Sequence, residues 1–262
     1  MQVVLVQLDV AWERPEANFR AVERLLGRVT VSPGSLIVLP EMFSVGFTMN
    51  VAAAAEEEGG PTERFLEDMA ARHEAYVVGG VCRMGSDGRG RNDALVVAPD
   101  GRRVDRYTKL HPFSYAGETD HYAPGDDIIV FDWDGLKTAP FICYDLRFPE
   151  AYRHAAMRGA GLLVTIANFP SARVRHWTDL LIARAIENQA YCVGVNRCGS
   201  DPNVAYPGRS VAVDPLGHIV AEAAAEETVV VVHIDGKEPS RVRSAFPALR
   251  DARADLLGGS SR

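Results

Sequence analysis

Short apolar runs recur along this chain, at residues 3–8, 35–39, 76–81, 93–98, 104–109, 128–133, 136–142, 162–166, 191–196, 209–213, 218–221 and 228–234. None approaches the ~18 residues that would cross a bilayer; they have strand length, and residues 3–8 read as a buried strand. Helical patterns separate many of them. Residues 16–28 place Phe19, Val22, Leu25 and Leu26 on one face, and residues 62–72 follow with Thr62 as a plausible N-cap. Residues 149–158 and 176–190 are the other helices. Pro99-Asp100-Gly101, Asp134-Gly135 and Asp214-Pro215-Leu216-Gly217 are turns. This alternation defines an α/β fold. No linker divides the chain, so residues 1–247 read as one domain. Residues 248–262 read as a loosely tethered tail, with Gly258-Gly259-Ser260-Ser261 of disorder-prone composition.

At 262 residues, with 47% hydrophobic and 24% charged residues, the chain can bury an ample core without a disulfide or metal staple. A formal charge of −7 argues against general affinity for nucleic acid. Arginine supplies 25 of the 28 basic residues, and the lysines are Lys109, Lys137 and Lys237. Cys82, Cys143, Cys192 and Cys198 fit no zinc spacing and no C-x-x-C pair, which suits a reducing compartment. The first residues lack the basic region of a signal peptide. A cytoplasmic enzyme, with no membrane or nucleic-acid partner, is the economical expectation.

Cys143 ends an apolar run, and a polar, helix-starting run, Tyr144-Asp145-Leu146-Arg147-Phe148-Pro149-Glu150, follows at once. A thiol at such an elbow is held toward solvent or substrate. The next backbone N–H groups, Tyr144 first, are helix-start donors that can lower a thiol's pKa and bind an oxyanion. Taken alone, a buried structural cysteine is an equally good reading. Two further strand ends add chemistry: Leu36-Ile37-Val38-Leu39-Pro40-Glu41 delivers a lone carboxylate, and Arg106-Tyr107-Thr108-Lys109 a lysine. Strand ends on one side of an α/β sheet are where sites gather. Together the three make a complete set: Cys143 as nucleophile, Glu41 as general base, and Lys109 to face an oxyanion with the Tyr144 N–H. No metal or cofactor is required.

Leu39-Pro40-Glu41-Met42-Phe43, Lys109-Leu110-His111-Pro112-Phe113 and Cys143-Tyr144-Asp145-Leu146-Arg147-Phe148-Pro149-Glu150 resemble, in order and spacing, the motifs of the nitrilase-type carbon–nitrogen hydrolases. The likeness runs from Val3 to about Asp235. It includes Ala167-Asn168-Phe169-Pro170, the stretch from Arg184 to Tyr191, Asn196-Arg197 and Gly208-Arg209-Ser210. It is greatest to the omega-amidase branch, which hydrolyses the terminal amide of 2-oxo acid amides. The resemblance implies a four-layer α-β-β-α sandwich, a small amide substrate and a homodimer formed by the helices at 149–158 and 176–190. It also implies a second glutamate that orients the lysine: Glu118, with Asp120 as the alternative. Phe43, Phe113, Asn168 and Phe169 become candidate substrate-binding residues. Arg147, about one turn beyond Cys143 if that stretch is helical, becomes a candidate partner for a substrate carboxylate. Pairing of Arg147 with Asp145 or Glu150 is the plain alternative.

Other chemistries fit less well. His111 could form a thiol–imidazole dyad with Cys143, although a lone histidine near a strand end is more often structural. No H-x-x-x-H, H-x-H or H-E-x-x-H spacing, Walker lysine, strand-linked G-x-G-x-x-G or G-x-S-x-G elbow is present. A carbamoyl amine, a deaminated peptide amide or a nitrile is the alternative substrate class, and a catalytically silent scaffold on the same fold is the non-enzymatic alternative.

Overall fold

The computed structural model describes residues 1–253, so the Gly258–Ser261 stretch and the rest of the expected tail beyond residue 253 lie outside the described residues. In chain order the elements are β1 (Gln2–Gln7), α1 (Pro15–Leu26), β2 (Leu36–Val38), α2 (Val51–Ala54), α3 (Pro61–His73), β3 (Tyr76–Met84), β4 (Gly90–Val97) and β5 (Arg103–Thr108). There follow α4 (Glu118–His121), β6 (Phe131–Trp133), β7 (Leu136–Ile142), α5 (Pro149–Met157), β8 (Leu162–Ala167), α6 (Val174–Asn188) and β9 (Tyr191–Asn196). The chain closes with β10 (Cys198–Ser200), β11 (Ala205–Pro207), β12 (Val211–Val213), β13 (Ile219–Glu222), β14 (Thr228–His233) and α7 (Glu238–Ala245).

Two six-stranded sheets face each other, ordered β14-β1-β2-β3-β4-β5 and β13-β12-β9-β8-β7-β6. They share one plan. Each has three parallel strands in the middle (β1, β2, β3 and β7, β8, β9), one antiparallel strand on one flank and two on the other. Strand β1 shows why the apolar runs are continuous. Val3 and Leu5 enter the core between the sheets, while Val4 and Val6 face outward under α1 and α3. A strand covered on both faces needs apolar residues at every position. The outer covers are Val22, Leu25 and Leu26 of α1 with Leu66, Met69 and Ala70 of α3 on one side. On the other, Tyr152 of α5 and Trp177 and Leu181 of α6 do the same. The result is the α-β-β-α sandwich. No helix among the described residues is long and apolar enough to cross a membrane.

Several boundaries differ from the sequence expectation. Helix α3 begins at Pro61 with Gly60 as its cap, and Thr62 instead donates its hydroxyl and its amide to the Glu56 carboxylate, at 2.6 and 2.7 Å. Proline at the first helical position loses no hydrogen bond, so it opens the helix before the threonine can cap it. Arg147 does not sit on an α-helix: Cys143–Arg147 is a 3-10 turn, and α5 starts at Pro149. Helix α7 has no counterpart in the sequence reading. It docks through Arg243, which donates to the carbonyls of Ala160, Asn188 and Gln189. The β10–β11 hairpin, too short and polar to show periodicity, also emerges only from the structure.

The carboxyl ends of β2, β5, β7 and β8 open on one edge of the sandwich and deliver Glu41, Lys109, Cys143 and Asn168 there. The Glu41 loop lies tight against β3. A Cβ on Gly80 would fall 2.5 Å from the Pro40 carbonyl oxygen and 2.6 Å from the Glu41 Cα. Backbone cannot give way as a flexible side chain can. Gly80→Ala is therefore expected to destabilise the fold by about 3 kcal/mol, the upper end for overpacking; equilibrium urea unfolding within about 1 kcal/mol of the native protein would contradict this contact.

Candidate active site

Glu41 and Lys109 are buried, as is Glu118 on the short helix α4. Lys109 Nζ donates to Glu41 Oε1 at 3.0 Å and to Glu118 Oε1 and Oε2 at 3.1 and 2.8 Å, with the Phe47 ring 5.1 Å away. The second oxygen of Glu41 accepts from the Asn168 backbone amide at 2.8 Å and from Asn168 Nδ2 at 3.1 Å. Asn168 Nδ2 also donates to the Glu41 carbonyl at 2.8 Å. Asn196 holds the Asn168 loop in turn, accepting from the Phe169 amide at 2.7 Å and donating to the carbonyls of Phe169 and Gly208. Two of the outlying motif segments thus act as supports for the strand end after β8.

Cys143 stands at a strained corner, with φ of 47° in the left-handed region that a side chain seldom adopts. Asp145 maintains that corner. Its Oδ2 accepts from the Ile142 amide at 3.0 Å and the Tyr107 hydroxyl at 2.7 Å, and its Oδ1 from the His111 amide at 3.0 Å. Arg184 of α6 donates to the Leu146 carbonyl from below, at 2.6 Å. His111 Nδ1 lies 2.8 Å from Asp145 Oδ1, and its ring stacks on Phe148, with centroids 3.7 Å apart. The histidine therefore braces the elbow, and the thiol–imidazole dyad is not formed.

The electrostatics correct one expectation. Burial, reinforced by the Glu41 charge, pushes the Cys143 thiol well above its ordinary value; the Lys109 charge and the nearby Asn168 amide only partly offset this. The helix-start dipoles do not win, because one lysine already balances only one of two carboxylates. A thiolate would bring the cluster to two net negative charges out of water. Burial alone would also raise Glu41, but Lys109 and the hydrogen bonds from Asn92, Lys109 and Asn168 hold its carboxyl below the ordinary range. Lys109 is pushed up: burial disfavours its charge, and Glu118 and Glu41 more than compensate. The resting site is a carboxylate, an ammonium and a protonated thiol.

A cavity of about 300 Å³ opens above the sulfur, lined among others by Lys109, Phe113, Tyr144, Arg147, Asn168 and Phe169. Phe43 is not among them. It packs against Phe19 and Phe65 on the outer face of the first sheet, ring centroids 6.0 Å away in both cases. Four residues further along the same loop, Phe47 takes the place in the pocket expected for Phe43. Tyr144 is the second residue of the 3-10 turn, where no internal acceptor reaches its N–H. Arg147 avoids Asp145 and Glu150; its guanidinium lies 5.6 Å from the Phe169 ring and 3.2 Å from His176 Nδ1. Arg173, unnoticed in the sequence, lines the same cavity with its guanidinium over Phe113. Asp120, the alternative to Glu118, lies outside this cavity. The described residues contain no group of His, Cys, Asp and Glu arranged to hold a metal ion.

A buried carboxylate, a fixed cation and a cornered thiol at the edge of a two-sheet sandwich mark a thiol-dependent hydrolase. The carbon-nitrogen hydrolase family profile matches residues 2–243, and the chain belongs to that family. It is 39% identical to an omega-amidase of Yersinia enterocolitica over 98% of both chains. It is 32% identical to a 2-oxoglutaramate amidase of Bacillus subtilis, over 96% of this chain and 97% of the other. A solved CN-hydrolase superfamily protein from Xanthomonas campestris, with an arsenic adduct in its active site, superposes with a TM-score of 0.91 at 34% identity, covering 97% of each chain.

Because the Glu41 charge raises the thiol, Glu41→Gln is expected to lower the Cys143 pKa, with Lys109 and Glu118 then in balance. The pH at which iodoacetamide alkylation of Cys143 reaches its alkaline plateau should move down. The buried Cys82, Cys192 and Cys198 leave the signal to Cys143. A plateau at the native pH would mean that the carboxylate is not felt at the sulfur.

Proposed function

We propose that this protein is an omega-amidase, hydrolysing the terminal carboxamide of a small carboxylate-bearing substrate such as 2-oxoglutaramate. Cys143 Sγ attacks the amide carbon while Glu41 takes the thiol proton. Lys109 and the Tyr144 N–H face the resulting oxyanion, and Glu118 keeps Lys109 oriented. Glu41 returns the proton to the departing nitrogen, and ammonia leaves. The same carboxylate then activates water, which cleaves the thioester and restores the thiol. Lys109 Nζ carries three protons; one goes to Glu41 Oε1, the two oxygens of Glu118 can share a second, and the third can then turn to the oxyanion.

The observation that carries the substrate assignment is the charge of the pocket wall. Among the described residues neither Arg147 nor Arg173 has an acid partner, and both line the cavity. The one acid in the lining, Asp201, is already engaged by the Tyr206 hydroxyl at 2.6 Å and by the amides of Asn203 and Val204, both at 2.7 Å. Unneutralised guanidinium in the wall of a largely apolar cavity favours a carboxylate there. The relatives named for omega-amidase and 2-oxoglutaramate amidase activity support the same reading.

We further read residues 1–247 as one hydrolase domain with 248–262 as its tail, and the protein as a cytoplasmic homodimer. Exposed Met157 on α5 and Ile186 on α6 support those helices as the contact. The test of function is ammonia release from 2-oxoglutaramate beside a neutral amide of similar length, a carbamoyl amine and a nitrile. Cys143→Ala should abolish turnover with an unchanged circular dichroism spectrum. Arg147→Met should raise KM for the carboxylate-bearing amide about tenfold or more, the loss of a charge-assisted pair, and leave the neutral amide within about twofold. Native preference for the neutral amide would point to a general amidase.

A further inference from the structure

Asn92 belongs to none of the motifs above, yet it touches both carboxylates of the site. It lies near the start of β4, almost fully buried. Its Nδ2 donates to Glu41 Oε1 at 2.7 Å and to Glu118 Oε1 at 2.8 Å. Its Oδ1 is buried with no hydrogen-bond partner. The amide orientation is not in question, because ionised carboxylates only accept hydrogen bonds and must face the NH₂. Leaving a buried carbonyl oxygen bare is costly and uncommon in a folded chain. Such a cost persists where the other end of the group is required for function.

The two carboxylates repel each other, and Lys109 alone is a point charge on a flexible stem that can balance them without fixing their rotation. A planar amide with two N–H bonds diverging to two oxygens sets both orientations at once. Its backbone carbonyl also accepts from the Lys109 amide at 2.9 Å, so the same residue registers the lysine. With Oε1 of Glu41 held by Asn92 and Lys109, Oε2 is left on the side of Asn168, which follows the strand beside the one that ends at Cys143. We propose that Asn92 is a positioning residue that ties Glu41 to Glu118 and aims the second Glu41 oxygen at the thiol. Its amide also stabilises the ionised form of the base.

The proposal deepens the amidase reading but can be tested apart from it, because alkylation of Cys143 needs no amide substrate. Asn92→Leu keeps the shape and removes both the donor and the orphaned oxygen. Its kcat is expected to fall by roughly 10²-fold, the scale of a misaimed catalytic group, with KM within about threefold of native. Loss of a hydrogen bond to the ionised form raises the pKa of the base, so the acid limb of kcat/KM should move up by about one pH unit, and iodoacetamide alkylation of Cys143 at neutral pH, where the protonated thiol depends on that base, should slow by about tenfold. Asn92→Asp can donate only when protonated; its activity, low at neutral pH, should recover as the pH falls toward the acid limb. A drop in Tm with the acid limb unmoved would mark Asn92 as merely structural and overturn the proposal. So would native-like activity of Asn92→Asp at neutral pH, which decides the matter if Asn92→Leu does not fold. If the native protein releases ammonia from no amide, the functional reading fails, and the neutral-pH alkylation rate still judges Asn92: a native rate in folded Asn92→Leu overturns the proposal.

Discussion

A lysine ammonium with almost no access to water lies between two carboxylates, and the rest of the site is arranged around it. Stripping an ammonium and two carboxylates of water is expensive, and their mutual attraction compensates only when geometry is good and the remaining oxygens are bonded. Here the remaining bonds come from Asn92, the Asn168 amide and side chain, and the Phe113 amide, which donates to Glu118. The surplus of one negative charge that results is the functional element. Together with burial it keeps the neighbouring thiol protonated, and in the proposed mechanism it makes Glu41 the proton acceptor. In that mechanism nucleophile activation occurs on demand, when a substrate carbonyl can take up the developing charge, and not at rest.

Much of this was legible in the chain. The continuous apolar runs announced doubly covered strands, and the polar residue just past each run announced the site, because parallel strands present their carboxyl ends to one edge. Glu41, Lys109 and Cys143 could be found by that rule. Asn92 could not. It lies near the amino end of an antiparallel strand, which reaches the same edge from the opposite direction, and the apolar run read from the sequence begins only after it. A polar residue pointing inward within a strand was the available signal. Phe43 misled for a related reason: the loop after β2 turns sharply at Met42, whose φ is 43°, and this sends the adjacent side chain out to the helices and leaves Phe47 to reach the pocket.

Asp145 and His111 illustrate what spacing alone hides. Both lie within catalytic motifs, and histidine beside a reactive cysteine invites a dyad. The structure gives them the task of maintaining an unfavourable corner. Four donors converge on one buried carboxylate so that Cys143 can hold a left-handed backbone. Strain of this kind persists only when the surroundings over-determine it, and the stacked His111–Phe148 pair adds to that rigidity.

The site is also divided between the two sheets. Glu41, Lys109 and Asn92 issue from the first sheet and Cys143 and Asn168 from the second. In the proposed mechanism, the gap that the transferred proton crosses is thus set by the thickness of the hydrophobic filling, by side chains such as Trp133, Phe141 and Leu5, none of which lines the cavity. Catalysis becomes a gauge of sheet-to-sheet spacing. A repacked core that lets the layers slide or swell by a fraction of an ångström would leave every strand hydrogen bond intact and still part the base from its acid, so this enzyme can fall silent while it remains folded.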